Sequence, residues 1–554
     1  MADNKNFNKV SVIIVGAGPA GLATAITIKK QKPHLDVCVV EKGADAGNHN
    51  LSGAALEKEQ LHQLLDSAAA GWKETEQAKE ILARTIDNDN VYMFLLPKIK
   101  IPITPFIKIA KKLGLGLGQM VHAGDYLVSV SKLSKWLASI ARQNGIEVLT
   151  GFSVEDILWE NGKAAGVALK EQGLDKHGNK QPNYAAPEKI YADVVVLAEG
   201  CDGLVTEKFV EKAGLQRKDN QLYSLGIKEI VKVSDQQYKA FGDGTCVHSM
   251  GYPIWTPFIG PAMFGGSFMY AMGDNKIAVG VIVGLDFKYC DFNPQDALTH
   301  FKNTPFAQQY LSDGQAVEAG AKMIPEGGLN AIPRDRETGD IGKFNTVIVG
   351  DSAGFVNMLK IKGLHNAIES GMLAGKAIAK NMYNTSNIAA DYTRLVDASN
   401  IYKEMYSARN FRQTFVKLGA TFGMPFSIIS NLLPQWKAEK DYQAMTSAKY
   451  RYKGNKEFDK DTFTAMASTE HREEQPSHLT ILDPKICVDK CTAKFNRPCI
   501  TFCPAGVYET VHDEVKPANP SNCLHCKTCQ RKCPFDNIRW TVPEGTGGPR
   551  YKNM

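Results

Sequence analysis

The first apolar stretch, Val10–Val15, is a short β-branched run that meets the turn Gly16–Gly21. Leu22, Ala25, Ile26 and Lys29 follow at helical spacing, and Val37–Val40 reads as the next strand. Leu133, Trp136, Leu137 and Ile140 sit at i, i+3, i+4 and i+7, which predicts an amphipathic helix ending near Gly145. Strands are predicted at Ile146–Leu149, Val154–Leu158, Ala164–Leu169 and, as a buried run, Ala192–Ala198. The polar segment Gln172–Glu188 reads as an exposed hairpin loop. From about Tyr223 to Asp286 the pattern alternates as in an antiparallel sheet, most clearly over Ile277–Val283. A third strand–loop–helix unit begins at Thr346, a charged connector spans Lys437–Gln475, and a cysteine-rich module starts at Pro476.

Two segments stand apart. Val91–Gly124 holds five lysines (98, 100, 108, 111, 112) and no acid, with Phe106, Ile109, Ala110, Leu113 and Leu117 on one helical stripe. Such a basic amphipathic element suits an anionic lipid surface. Leu418–Trp436 is uncharged over 19 residues between Lys417 and Lys437. Gly419, Gly423, Pro425 and Asn431 argue against a spanning helix there, so shallow insertion is expected, with burial in a core as the rival.

Composition narrows the class. Hydrophobic residues make 44% and charged residues 22% of 554, an ordinary globular balance that excludes disordered and collagen-like chains. At roughly 150 residues per domain, three or four domains are expected. A net charge of +6 is too mild to point to nucleic acid. Of twelve cysteines, Cys38, Cys201, Cys246 and Cys290 are scattered, and eight lie between Cys487 and Cys533. The polar start lacks a secretory signal, so a reducing compartment and metal-binding cysteines are expected.

Gly16-Ala17-Gly18-Pro19-Ala20-Gly21 matches the dinucleotide fingerprint, and Glu41 ends the next strand. Gly16 permits the turn, Gly18 lets backbone approach a pyrophosphate, and Gly21 lets helix pack on strand. Glu41 is expected to accept from ribose hydroxyls. Cys523-x2-Cys526-x2-Cys529-x3-Cys533-Pro534 is a ferredoxin-type run, with zinc as the rival. Upstream stand Cys487-x3-Cys491-x7-Cys499-x3-Cys503-Pro504. Paired runs cross over, so Cys503 would join Cys523, Cys526 and Cys529, leaving Cys533 for Cys487, Cys491 and Cys499 around a possible second cluster. Thr528 and Tyr508 are candidate hydrogen-bond donors to sulfur.

Ala198–Gly203 and Val347–Gly354, together with the first motif, resemble the nucleotide-contacting segments of glutathione-reductase-like flavoproteins. The resemblance implies FAD, with Asp351 on the ribityl chain and a helix starting at Gly363 near the flavin. Leu51-Ser52-Gly53-Ala54, Phe264-Gly265-Gly266-Ser267-Phe268, Gly284-Leu285-Asp286, Ile324-Pro325-Glu326-Gly327-Gly328, Lys360-Ile361-Lys362-Gly363 and Ser477-His478-Leu479-Thr480 extend the likeness. With the cysteine tail, the chain resembles the electron-transfer-flavoprotein:ubiquinone oxidoreductase family over essentially its full length.

The resemblance implies electron transfer from reduced electron-transfer flavoprotein, through 4Fe-4S and FAD, to membrane quinone, whether ubiquinone or menaquinone. It places Ser52, Gly53 and Asn357 by the flavin and Gly265 and Gly266 at the quinone head group. One cluster is usual in the family, at positions matching Cys503, Cys523, Cys526 and Cys529. Cys533, where an acid is usual, and the added Cys487, Cys491 and Cys499 depart from that pattern. The expected fold class is α/β with α+β: a glutathione-reductase-like FAD-binding fold, an antiparallel-sheet quinone-binding domain and a C-terminal ferredoxin-like domain. Expected boundaries give FAD-binding parts at 1–90, 125–222 and 326–400, and the quinone-binding domain at 223–325. Membrane-associating segments are expected at 91–124 and, with the connector, 401–475, and the iron–sulfur domain at 476–554. Monotopic attachment to the cytoplasmic face of a bacterial inner membrane follows as the expected location. A lipid-directed flavin reductase fed by the ferredoxin module, and an electron carrier with a dead quinone site, are the competing readings.

Overall fold

The computed structural model describes residues 9–114, 116–258, 260–427, 429–452, 454 and 459–554. Two sheets organise them. The first has a parallel centre in the order Thr346–Ile348, Lys189–Leu197, Lys9–Val15, Val37–Glu41, Glu147–Thr150. The central strands are near-continuous apolar runs because both faces are covered. Helix Pro19–Gln31 lies against helix Leu364–Asn381, and glycines set how closely they approach. A Cβ on Gly371 would stand 2.3 Å from the Ala20 carbonyl oxygen, and one on Gly375 2.6 Å from Thr27 Cβ. Both helices therefore start at the same end of the sheet, beside the strand ends that carry the glycine loops.

The second sheet runs Gln315–Pro325, Tyr223–Lys232, Lys276–Gly284, Gly265–Gly273, Thr245–Gly251, Asn88–Leu96, Ile99–Pro102. It is antiparallel except where Thr245–Gly251 pairs parallel with Asn88–Leu96. The segment expected to associate with membrane from residue 91 thus opens as a strand of this sheet. Val91 and Phe94 are buried in it.

The amphipathic element is the helix Thr104–Lys112. Its stripe splits: Phe106, Ile109 and Leu113 are exposed by 64%, 55% and 68%, whereas Ala110 turns inward beside buried Ile107. Further along, helix Phe411–Ser427 is bent at Gly419, whose φ of 70° breaks the helical path. Phe422, Phe426, Ile429 and Leu432 are exposed around it, and Ile428 lies outside the described residues. Among the described residues no helix is long and apolar enough to cross a membrane.

The C-terminal module is held by two small antiparallel pairs, Leu479–Ile481 with Ile538–Trp540 and Glu509–Val511 with Glu514–Lys516. Short helices Pro498–Phe502 and Thr528–Lys532 carry cysteines. The polar segment before the parallel strand Lys189–Leu197 is the hairpin Gln172–Leu174 with Lys180–Ala185.

Candidate functional site

One cavity of about 650 Å³ lies between the two sheets. Its size falls within the usual range of cofactor sites, roughly 300–1,000 Å³. Gly16, Gly18, Glu41, Ser52, Gly53, Asp351, Gly363, Gly265 and Gly266 all line it. Gly16 sits at φ 108°, and a Cβ there would be 2.3 Å from the Ala198 carbonyl oxygen. Gly21 is excluded from any larger residue by the Gly16 oxygen, 2.1 Å from its would-be Cβ. Gly18 differs: a Cβ would meet only Asn50 Nδ2 at 3.7 Å, so its open side faces the cavity.

Gly18 caps Pro19–Gln31 and Gly363 caps Leu364–Asn381, both without a side-chain cap, leaving first-turn N–H groups at the cavity. Glu41 is not free for a ribose alone. Its Oε2 accepts from Ala17 N at 2.9 Å and its Oε1 from Gly43 N at 2.7 Å, holding the glycine turn.

The strand geometry gives Gly265 and Gly266 a second reason to be glycine. A Cβ on Gly265 would fall 1.9 Å from the Ile282 oxygen, and one on Gly266 2.2 Å from the Ser249 oxygen. Asn357, expected beside the flavin, is fully buried but does not line the cavity. Its Nδ2 donates to Gln119 Oε1 at 3.0 Å, and its Oδ1 accepts from Leu359 N and Lys360 N at 3.0 and 3.2 Å. Its amide is consumed in shaping the loop that leads to Gly363.

Several lining residues carried no signal in sequence. Burial and the charges of Lys527 and Lys322 lower the Lys42 pKa to about 7. Lys322 is lowered by burial and by Lys527. These lysines line the same cavity as Asp351, whose carboxyl is pushed up to about 6 by burial, with Lys322 opposing. Such a wall fits an anionic diphosphate and an anionic reduced isoalloxazine. Lys228 is buried and donates to the Ser52 carbonyl at 3.2 Å, and burial lowers its pKa to about 8. Tyr270 Oη and His248 Nε2 are hydrogen-bonded at 2.6 Å, with Gly53 beside the Tyr270 hydroxyl.

Arg412 ties together two of the sequence motifs. It donates to Asp286 Oδ1 at 2.5 Å and to Glu326 Oε2 at 3.1 Å, and lies 4.1 Å over the Phe264 ring.

The eight clustered cysteines are all free thiols, and two small cavities divide them. Cys503, Cys523, Cys526 and Cys529 line one; Cys487, Cys491, Cys499 and Cys533 line the other. In the first, backbone N–H groups of His525, Thr528 and Gln530 point to Cys523, Cys526 and Cys529. Left-handed His525 (φ 55°) and Lys527 (φ 60°) turn those amides inward. The Thr528 hydroxyl faces Cys526 and the Tyr508 hydroxyl faces Cys529; both are buried and lack an oxygen or nitrogen partner. Donors aimed at sulfur are what an iron–sulfur cluster uses. Lys527 lines both this cavity and the large one, so the two adjoin.

A glycine-loop cradle with uncapped helix starts, joined to a cysteine cavity, defines an FAD-dependent oxidoreductase with a ferredoxin-like 4Fe-4S module. Comparison with known proteins refines the class. Residues 454–552 match the family model described as electron transfer flavoprotein-ubiquinone oxidoreductase, 4Fe-4S, and residues 223–324 the one described as ETF-QO, ubiquinone-binding. Residues 14–85 match an NAD(P)-binding Rossmann-like domain. The mitochondrial electron transfer flavoprotein-ubiquinone oxidoreductase of Arabidopsis thaliana is 34% identical, over 98% of this chain and 84% of that protein. The Pseudomonas aeruginosa protein of the same name is 33% identical, over 99% and 100%. Among solved structures, a geranylgeranyl bacteriochlorophyll reductase-like protein from Thermoplasma acidophilum has a TM-score of 0.52 at 18% identity, covering 77% of this chain and 97% of that one, a likeness of fold.

The chain belongs to the electron transfer flavoprotein-ubiquinone oxidoreductase family. It is an oxidoreductase that takes electrons from electron-transfer flavoprotein and passes them through a 4Fe-4S cluster and FAD to quinone.

Proposed function

We propose that FAD lies along the Gly16–Gly21 turn with its diphosphate at Gly18, its ribityl chain at Asp351 and its ring between Ser52–Gly53 and the Gly363 helix start. Glu41 serves both the glycine turn and the adenosine ribose. Cys503, Cys523, Cys526 and Cys529 hold the cluster. A membrane quinone enters at Phe106 and meets the backbone of Gly265 and Gly266.

The cofactors supply single-electron acceptance and two-electron delivery. The protein supplies distance, exclusion of water and protons. Burial lowers the His248 pKa to about 3 and raises that of Tyr270, so both are neutral at physiological pH. Tyr270 Oη and His248 Nε2 therefore form a neutral hydrogen-bonded pair on the cavity wall.

The observation that carries the reading is the reach of the large cavity. It is lined by the glycine loops and by Gly265 and Gly266. Met93, Ile103, Trp255 and Phe106 line the same cavity, and Phe106 is also 64% exposed. The mouth thus lies beside the exposed Ile109 and Leu113 and a fringe of lysines. A greasy quinone can leave lipid at such a mouth without crossing water.

Basic charge with apolar side chains favours an anionic leaflet, which fits monotopic attachment at the cytoplasmic face of a bacterial inner membrane. The Phe106→Asp, Ile109→Asp double variant tests this. It should lose flotation with vesicles containing anionic phospholipid and lose reduction of a long-chain quinone, while keeping reduction of a water-soluble short-chain one. Unchanged flotation would overturn the membrane assignment.

A further inference from the structure

The second quartet has no place in a one-cluster enzyme. Cys487, Cys491, Cys499 and Cys533 come from three separate stretches of chain, yet they line a single cavity closed by Ile481, Phe535 and Ile538. None of the four is paired in a disulfide.

The two cavities are built alike. Helix Pro498–Phe502 starts with Cys499 in the outer cavity and delivers Cys503 to the inner one. Helix Thr528–Lys532 does the reverse, with Cys529 inner and Cys533 outer. Each crossing spans four residues and ends at a proline, Pro504 or Pro534.

The outer sulfurs also receive N–H donors. Asn537 N points at Cys533 Sγ at 3.4 Å and its Nδ2 at Cys487 Sγ at 3.5 Å. The Arg497 amide points at Cys491. Asn537 is buried and locked by Asp483, whose amide donates to its Oδ1 at 2.9 Å.

A single zinc ion would draw four thiolates to roughly 3.8 Å from one another, given Zn–S bonds of about 2.3 Å. Among the described residues, three groupings bring metal-ligating atoms within 4.8 Å of one another, and none contains any of these eight cysteines. No three of these sulfurs are therefore drawn as close together as one zinc ion would hold them.

We propose that Cys487, Cys491, Cys499 and Cys533 bind a second 4Fe-4S cluster, outside the first. The proposal rests on the iron–sulfur assignment of the inner quartet only for its analogy of construction. The large cavity adjoins the inner cysteines through Lys527 and does not reach the outer ones. Between buried Cys487 and Cys491, the residues Val488, Asp489 and Lys490 are exposed. The outer centre is thus the one nearest an approaching donor. It would take one electron from the reduced flavoprotein and release one to the inner centre, with no bond made or broken.

Iron, acid-labile sulfide and zinc measured on anaerobically purified full-length enzyme test this directly. The expected result is about eight iron and eight sulfide per FAD with no zinc, since each cubane held by four thiolates contains four of each. Cys487→Ser should fall to about four while retaining FAD, and Cys526→Ser should lose the other set. If Cys487→Ser proves insoluble, the wild-type stoichiometry alone decides. About four iron per FAD, with or without one zinc, would overturn the second cluster and leave the first standing. Failure of the inner assignment would appear separately, as iron content unaffected by Cys526→Ser.

Discussion

Replacing Gly18 by alanine separates the needs of the protein from those of its cofactor. Gly18 has φ −78° and ψ 176°, a conformation open to any L-residue, so alanine brings no backbone strain. Its Cβ would have Asn50 Nδ2 at 3.7 Å as its nearest protein neighbour, an ordinary contact. The apoprotein should therefore change by no more than about 0.5 kcal/mol, as for substitutions without a packing consequence. The added methyl instead projects where the diphosphate must approach. Overpacking of this kind costs about 1–3 kcal/mol. That range corresponds to FAD affinity roughly 5–150-fold weaker.

Gly21→Ala is the comparator, because its Cβ would lie 2.1 Å from the Gly16 oxygen and must shift the fold itself. The assay is titration of deflavinated protein with FAD, read by quenching of flavin fluorescence, alongside the thermal midpoint of each apoprotein. Wild-type FAD affinity in Gly18→Ala, or an apoprotein midpoint lowered as far as in Gly21→Ala, would refute the placement of the diphosphate.

Burial lowers the Lys228 pKa from 10.5 to about 8, so folding disfavours its proton between those values. Stability should rise with pH across that window, and Lys228→Met should raise the apoprotein midpoint at pH 7, the gain shrinking above pH 8. An unchanged or lowered midpoint would contradict this. Arg412→Met strands Asp286 and Glu326 in the interior; losing one partner of a buried ion pair costs about 3–5 kcal/mol, so a lower unfolding temperature in thermal scans is expected, and wild-type stability would reject the pairing. Thr528→Ala and Tyr508→Phe should each lower the midpoint potential of the inner cluster with its iron content intact, because a donor to a ligand sulfur is lost; redox titration with no shift would remove them as tuning groups.

What could be read from the chain is what local spacing encodes. The Gly16–Gly21 turn announces itself because strand, turn and helix follow within one short segment. The cysteine crossover is expected from two runs each ending in Cys-x3-Cys-Pro, and each quartet lines one small cavity. What stayed hidden depends on distant pairing. Asn88–Leu96 joins the second sheet by a parallel partner, Thr245–Gly251, that no local pattern reveals. Lys228 reads as a polar position on an alternating strand, yet both faces of that strand are covered. Arg412 meets Asp286 across 126 residues of chain, so the purpose of two motifs became visible only in three dimensions. Asn357 shows the converse, since the family resemblance pointed to the cofactor whereas its amide serves the loop behind it.

The most direct test of the electron path mixes reduced electron-transfer flavoprotein anaerobically with the holoenzyme and then with a quinone, while the flavin and iron–sulfur absorbances are followed in time. Both chromophores should bleach with the donor and recover with the acceptor. In Cys526→Ser, loaded with FAD, the flavin should reduce far more slowly than in wild type. Flavin reduction in that variant at the wild-type rate would contradict transfer through the inner cysteines.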